Sequence, residues 1–470
     1  MRIFILAILF TLFTAPYSHA NDQNLELLDS NLIAKLHLAD IPKDGQMVGA
    51  YVVSFRPKKG QSVNTITILL NPGLEFIKAD AGRTPLAATS RVAAIQGMDM
   101  LELNVVDINL GKTLTGTNRI DIAIHYRGYL EELSWTGLTG VKETLHPDFT
   151  MLRAQSFAYP VFAQPTMSAI KKAWAGKAFL QFADVTLPGA NEIVGSLNVA
   201  EKKLVGAKTK VTLKSNRTTS PMALAIAPYQ NISSGPVTVS FLDGGRSGAN
   251  RLLSAATAQI SAMERLLGAP TSNAALNIIA VPNGYGTSAA SGAIFVETGF
   301  FDAPSITPAI KKAIGDLWKS TNAGKAGNWS NGLDRVIDLL IYHPDMLAEF
   351  QMILLSTNKQ LFASNKRLGK IALENYGIEG LSAEADEVSA LAFTALHDIL
   401  GREEFFKMVR GLRSSLNDGY VDMTTVAEFL QKNLKNKKAR KFAKNWFSGK
   451  KAGKDINKAH NFLGMVKTYK

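Results

Sequence analysis

GTSAASGAIF occupies Gly286–Phe295, and IKKAIGDLWK follows at Ile310–Lys319. The first stretch is a run of small residues that opens into AIFVE, an apolar, β-prone segment. The second lies in the helical periodicity that runs through almost everything after Pro308. Gly286-Thr287-Ser288-Ala289-Ala290 falls one residue short of a Gly-x-Ser-x-Gly nucleophile elbow. That elbow joins a strand to a helix, whereas this run leads into a strand. Nor does NGYGTSAASG continue into the Gly-Lys-Ser/Thr of a phosphate loop. The stretch reads as a glycine-rich turn, then a strand, then a helix.

Upstream, from Asn21 to about Ile232, the apolar period is two. In NRIDIAIHYRG, Ile120, Ile122, Ile124 and Tyr126 alternate with Asp121, Ala123 and His125, the spacing of a half-buried strand. MVGAYVVSF, NTITILL, MLELNVVDI, AFLQFADVTLP and KTKVTLK repeat the pattern between Gly, Pro and Asn turns. An antiparallel β domain is therefore expected over residues 21–232. Past SSGPVTVSF the period changes. ANRLLSAATAQISAMERLLG predicts a helix with Leu252, Ala255, Ile260, Met263 and Leu267 on or near one face and Gly268 at its end. The strands ALNIIAVP and GAIFVET, then helices, complete a second domain over residues 233–470. The fold class is α+β.

The first twenty residues stand apart. Arg2 precedes IFILAILFTLF, and Ser18-His19-Ala20 closes the segment. A short basic start, a brief apolar core and a small-x-Ala exit describe a secretory signal peptide over residues 1–20. The apolar run is too short for a membrane span. The expectation is an exported protein, periplasmic or secreted, beginning at Asn21. The 470 residues include no cysteine, which excludes disulfides, thiol nucleophiles and thiolate metal sites. Stability must come from burial, and 46% hydrophobic residues suffice for more than one ordinary core. Charge is unevenly placed: of 52 basic residues, thirteen lie in residues 431 to 470, against the single acid Asp455. That basic C-terminal tail from about 431 is either a solvated helix face or a patch for an anionic membrane surface. An exported address leaves no role for nucleic acid.

The order of these elements resembles the aminopeptidase N-type zinc metallopeptidases, gluzincins whose catalytic domain is thermolysin-like. IAIHYRG, SFAYP and FADVTLPGANEIVGSLN look like that family's N-terminal domain. MERLLGAP followed by LNIIAVPNG looks like the entry to its catalytic domain. GTSAASGAIF sits where the family has Gly-x-Met-Glu-Asn-x-Gly and a short edge strand, with Gly286 and Gly292 in place. Ala289 then stands for the glutamate that grips a free amino group, and Ala290 for the asparagine. IKKAIGDLWK sits on the His-Glu-x-x-His helix. There Lys312 and Asp316 take the histidine positions, Ala313 the general base, and Trp318 matches the aromatic that follows. The third ligand position, nineteen residues past Asp316, is Arg335. The tyrosine that steadies the oxyanion falls on Asp386.

Catalytic zinc needs three neutral-imidazole or carboxylate ligands and an open position for water. Lys312, Asp316 and Arg335 offer two cations and one carboxylate, a set expected to form a salt-bridged cluster instead. Without zinc the water is not activated, and Ala313 cannot take its proton. No two of the histidines beyond residue 20 (His37, His125, His146, His343, His397 and His460) stand at helical ligand spacing. The resemblance thus implies a degenerate family member with no metal and no cofactor. It would be no enzyme but an exported pseudopeptidase that binds a peptide, a protein or an envelope component. Its expected peptide site is the edge strand Gly292, Ala293, Ile294, Phe295 and Val296, since strand addition uses backbone groups alone. The alternative is a hydrolase that uses the same cleft with non-zinc chemistry.

Overall fold

The computed structural model describes residues 25–470 apart from 42, 117, 134–141, 175–178, 190, 216–220, 271–274, 291, 302–307, 319–328, 377–380 and 416–421. The signal peptide expected over residues 1–20 lies outside the described residues.

The first half of the chain is β structure. Its largest sheet runs β12 (Asn198–Val205), β13 (Lys208–Lys214), β10 (Leu180–Pro188), β1 (Leu25–His37), β2 (Gln46–Pro57), β8 (Ile120–Gly128), β4 (Leu74–Ala81) and β5 (Thr84–Leu86). A second sheet, β3 (Ser62–Leu70), β7 (Met98–Thr115) and β6 (Ala88–Ile95), shares its core. The period-two reading is visible in β8, where Ile122, Ile124 and Tyr126 are buried and Asp121 and Arg127 exposed. Pairing is antiparallel except between β1 and β10, which run parallel. Helix α1 (Met167–Trp174) supplies Ala169 and Ile170 to this core.

A small sheet of β11 (Glu192–Gly195), β14 (Ala223–Ala227) and β9 (Thr150–Arg153) links the halves. Its Met151, Ala223, Ala225 and Ala227, with Phe149 just before β9, join Ile279, Val281, Ala293 and Phe295 of the next sheet in a separate apolar cluster. That next sheet has the order β15 (Gln230–Ser234), β16 (Val237–Phe241), β17 (Leu276–Val281), β19 (Ala293–Glu297) and β18 (Ser288–Ala290). The boundary expected at residue 232 therefore falls inside β15. That strand pairs with β16 and belongs wholly to the second half.

Helix α2 (Arg246–Leu267) crosses from β16 to β17 and buries Leu252, Ala256, Ile260, Met263 and Leu267. Ala256, not Ala255, is the buried alanine of the stripe. Gly268 ends the helix at φ 80°, a left-handed value that only glycine adopts cheaply. There follow α3 (Thr298–Phe301), α4 (Pro308–Gly315), α5 (Trp329–Tyr342), α6 (Leu347–Ser364), α7 (Ser382–Leu400) and α8 (Arg402–Ser415). The chain closes with α9 (Met423–Asn433), α10 (Lys437–Ala443), α11 (Ala452–Lys458) and α12 (Phe462–Val466).

The segment from residue 431 is thus no free tail. Phe442, Trp446, Phe447, Phe462 and Tyr469 lie in the second core, while all thirteen Lys and Arg side chains of residues 431–470 are exposed. The apolar positions recur at helical spacing between the lysines, so burial of one face drives every charge to the other. No helix among the described residues is long and apolar enough to cross a membrane.

Candidate functional site

The hairpin of GTSAASGAIF defines the sheet edge. Strand β18 pairs antiparallel with β19, Ser288 opposite Phe295, Ala289 opposite Ile294 and Ala290 opposite Ala293. Between them the chain reverses at Gly292, whose φ of 74° is left-handed. The expected edge strand, Gly292 to Val296, is therefore misplaced by one strand. Ala293, Ile294, Phe295 and Val296 are buried between β17 and β18, and the edge is Ser288–Ala290. No strand pairs with the far side of β18 among the described residues. Its backbone groups there are available to an added strand.

Two charged side chains with no place among the expected site residues fix this edge. The Glu297 carboxylate, at the end of β19, accepts hydrogen bonds from the Gly284 and Gly286 N–H groups at 2.7 and 2.8 Å. The loop entering β18 is thereby fastened to the strand leaving it. From β9, Arg153 donates through Nη1 to Ser288 Oγ at 3.4 Å, and its Nε is in close contact with Glu143. Both partners are buried, and burial pushes the Glu143 carboxyl above its ordinary range against the pull of Arg153. An acidic residue at a strand end facing glycines is a readable signal. The reach of Arg153, 135 positions away in sequence, is not.

Helix α4 packs beside β18 and β19. On it Lys312 is exposed and Ala313 buried. Asp316 begins a 3-10 turn, Asp316–Trp318, and its side chain lies outside the described residues. Trp318 is buried and donates from Nε1 to the Gly268 carbonyl at 2.9 Å. Arg413 of α8 donates to the Trp318 carbonyl at 2.6 Å and meets Asp334 of α5 at 3.3 Å. These bonds tie the end of α4 to both neighbouring helices. Burial lowers the Arg413 pKa, and Asp334 and Asp338 oppose that shift.

Arg335 on α5 does not join Lys312. Its Nη1 lies 3.2 Å from Asp386 Oδ1 and 2.7 Å from Glu387 Oε1, both on α7. The salt-bridged cluster expected of Lys312, Asp316 and Arg335 turns on the Asp316 side chain, outside the described residues; among the described residues Arg335 links α5 to α7. That link unites the position expected for a ligand with the one expected for the oxyanion tyrosine. Burial holds the Asp386 carboxyl above its usual value, with Arg335 pulling the other way. The helices meet closely because Gly332, one turn before Arg335, faces α7. A Cβ there would fall 2.1 Å from Ser389 Oγ and 2.5 Å from the Asp386 carbonyl. Ala289 is exposed at the edge and Ala290 half-buried; neither carries a group that could hold an amine.

No protein-family model matches the sequence, and no curated protein matches it. The chain is similar to a solved two-domain M1 zinc metallopeptidase, a mutant bound to L-arginine. Identity is 14% over 91% of this chain and 95% of that one, with a TM-score of 0.51. It is also similar to an M1 zinc metallopeptidase mutant from Deinococcus radiodurans bound to a Tyr-Ser-Ala substrate. There identity is 14% over 92% and 96% of the two chains, with a TM-score of 0.49. The fold is that of the two-domain M1 zinc metallopeptidases.

That fold overturns the expectation that the chain is no enzyme. It is a peptidase fold, and replaced metal-binding residues are not positive evidence of inactivity. The residues at the expected metal positions nevertheless do not fit zinc. Arg335 is a cation held by two carboxylates, Lys312 is a second cation, and Ala313 has no base to offer.

Proposed function

We propose that this is an exported protein of the aminopeptidase N-type family that binds peptides in extended form along the outer edge of β18. The observation that carries this reading is the side of Ser288–Ala290 that has no partner strand among the described residues, fastened by Glu297 and Arg153 and flanked by α4. An incoming strand is recognised there through backbone hydrogen bonds, with side-chain pockets adding selectivity. Ala289 offers no carboxylate to a free amino terminus, so a blocked peptide binds as well as a free one. The export half of the proposal rests on residues 1–20.

Along a strand, N–H groups point alternately to the two neighbours. A proline at one of the adjacent positions Ala289 and Ala290 therefore removes an outward donor; Ala289 is exposed, whereas Ala290 packs against the apolar cluster beside it. Peptides selected from a random library should lose binding to at least one of Ala289→Pro and Ala290→Pro, with both variants still folded. Unchanged affinity in both would place the ligand elsewhere. The same incubation, followed by mass spectrometry of the peptide, reports whether it is cut.

We also propose a contact with anionic membrane surfaces through residues 431–470. All of their cations are exposed, and their aromatics are buried rather than available to lipid. Such a contact is electrostatic and salt-sensitive.

A further inference from the structure

The first domain holds a cavity of 580 Å³ far from the peptide edge in sequence, within the roughly 300–1,000 Å³ of small-molecule sites. Its walls include five aromatic side chains, Tyr51, Tyr159, Phe162, Trp174 and Phe179. These rings are fixed by their own contacts. Tyr51 and Tyr159 stack at 5.6 Å, and the Tyr159 hydroxyl donates to the Met222 carbonyl at 2.6 Å. The Trp174 indole N–H donates to the Ala154 carbonyl at 3.2 Å. Walls set in this way leave little to be ordered when a ligand enters, and an apolar occupant gains by leaving water.

The rim is cationic. Lys58 and Lys59, in the loop after β2, and Lys172 on α1 line the cavity. Lys58 and Lys59 are exposed, and they form no ion pair among the described residues. The single acid in the lining, Glu26, is engaged by Arg56 through Nε and Nη2, each at 2.8 Å, so it does not cancel them. We propose that this cavity binds an amphipathic anion: a hydrocarbon or aromatic body with one carboxylate or phosphate head. The body lies among Tyr51, Phe162 and Trp174, and the head meets Lys58 and Lys59.

The test titrates the purified chain with dansyl-undecanoate and displaces the probe with oleate, dodecyl phosphate, oleyl alcohol or dodecylamine. Displacement by either anion supports the site, and the stronger of the two names the head group. The alcohol and the amine should need about tenfold more, the worth of one charge-assisted contact. Lys58→Glu with Lys59→Glu should abolish that preference. Ala173→Phe, which fills the cavity, should abolish probe binding. Should Ala173→Phe not fold, the exposed lysine pair still decides. No displacement by either anion, or equal displacement by the alcohol, overturns the proposal. So does a preference that survives the lysine reversal.

Discussion

Arg335 faces Asp386 and Glu387 across the α5–α7 contact, and the three side chains make opposite demands. Asp386 is half-buried, and its pKa is raised by burial, with the neighbouring Glu387 carboxylate adding to it, against the pull of Arg335. Its ionisation in the folded state therefore costs stability. The benefit of the raised pKa is complete below the ordinary carboxylate range and is lost as pH rises through the raised value. Asp386→Asn should match the parent in thermal unfolding near about pH 4 and become the more stable protein towards about pH 7. A gap that widens on acidification instead would refute this balance. Arg335→Leu should act in the other direction, leaving two carboxylates side by side. With both partners partly solvated, a loss of about 1 kcal/mol at neutral pH is expected, fading as the carboxylates protonate. The pair is not legible in the sequence, where Arg335 and Asp386 belong to separate motif positions. Only their approach in space shows that each neutralises the other.

At the level of elements, the sequence displays periods well and edges poorly. Alternation in NRIDIAIHYRG and the apolar stripe of the α2 segment are properties of one strand or one helix. They need no knowledge of neighbours. Which strand lies outermost does need it. Ser-Ala-Ala is three small residues with no period to read, so AIFVE is the strand that the sequence makes visible, and β18 covers it. The same limit misplaces the boundary at 232, since β15 alternates as the preceding strands do and its allegiance to β16 is set by pairing. Element packing also gives a sharp test. Gly332→Ala would drive a Cβ into the Asp386 carbonyl and the Ala390 amide of α7, at 2.5 and 2.6 Å. Backbone atoms yield little, so a destabilisation of about 1–3 kcal/mol is expected in denaturant unfolding. An alanine as stable as the parent would mean that α5 and α7 are further apart than described.

Across the whole molecule, the charge asymmetry of residues 431–470 is plain from composition, but their role in the core is not. Truncation after Leu430 removes the fully buried Phe442, Trp446 and Phe447 and should abolish cooperative unfolding of the second half. Neutral replacement of Lys437, Lys438, Arg440 and Lys441 spares that core, losing besides charge the Arg440 bonds to the Leu434 carbonyl. Each cation near an anionic surface contributes about 1 kcal/mol at low salt, so the fourfold variant should sediment less with anionic vesicles than the parent does. Equal sedimentation would reduce the cations to a solubilising face. The central claim, that the free side of β18 receives an extended peptide, is tested most directly by amide hydrogen exchange with a library-selected peptide bound. The predicted result is slowed exchange at Ser288, Ala289 or Ala290, the same for a free and an acetylated amino terminus. A tightly bound peptide that protects other amides and leaves these three unchanged would contradict it.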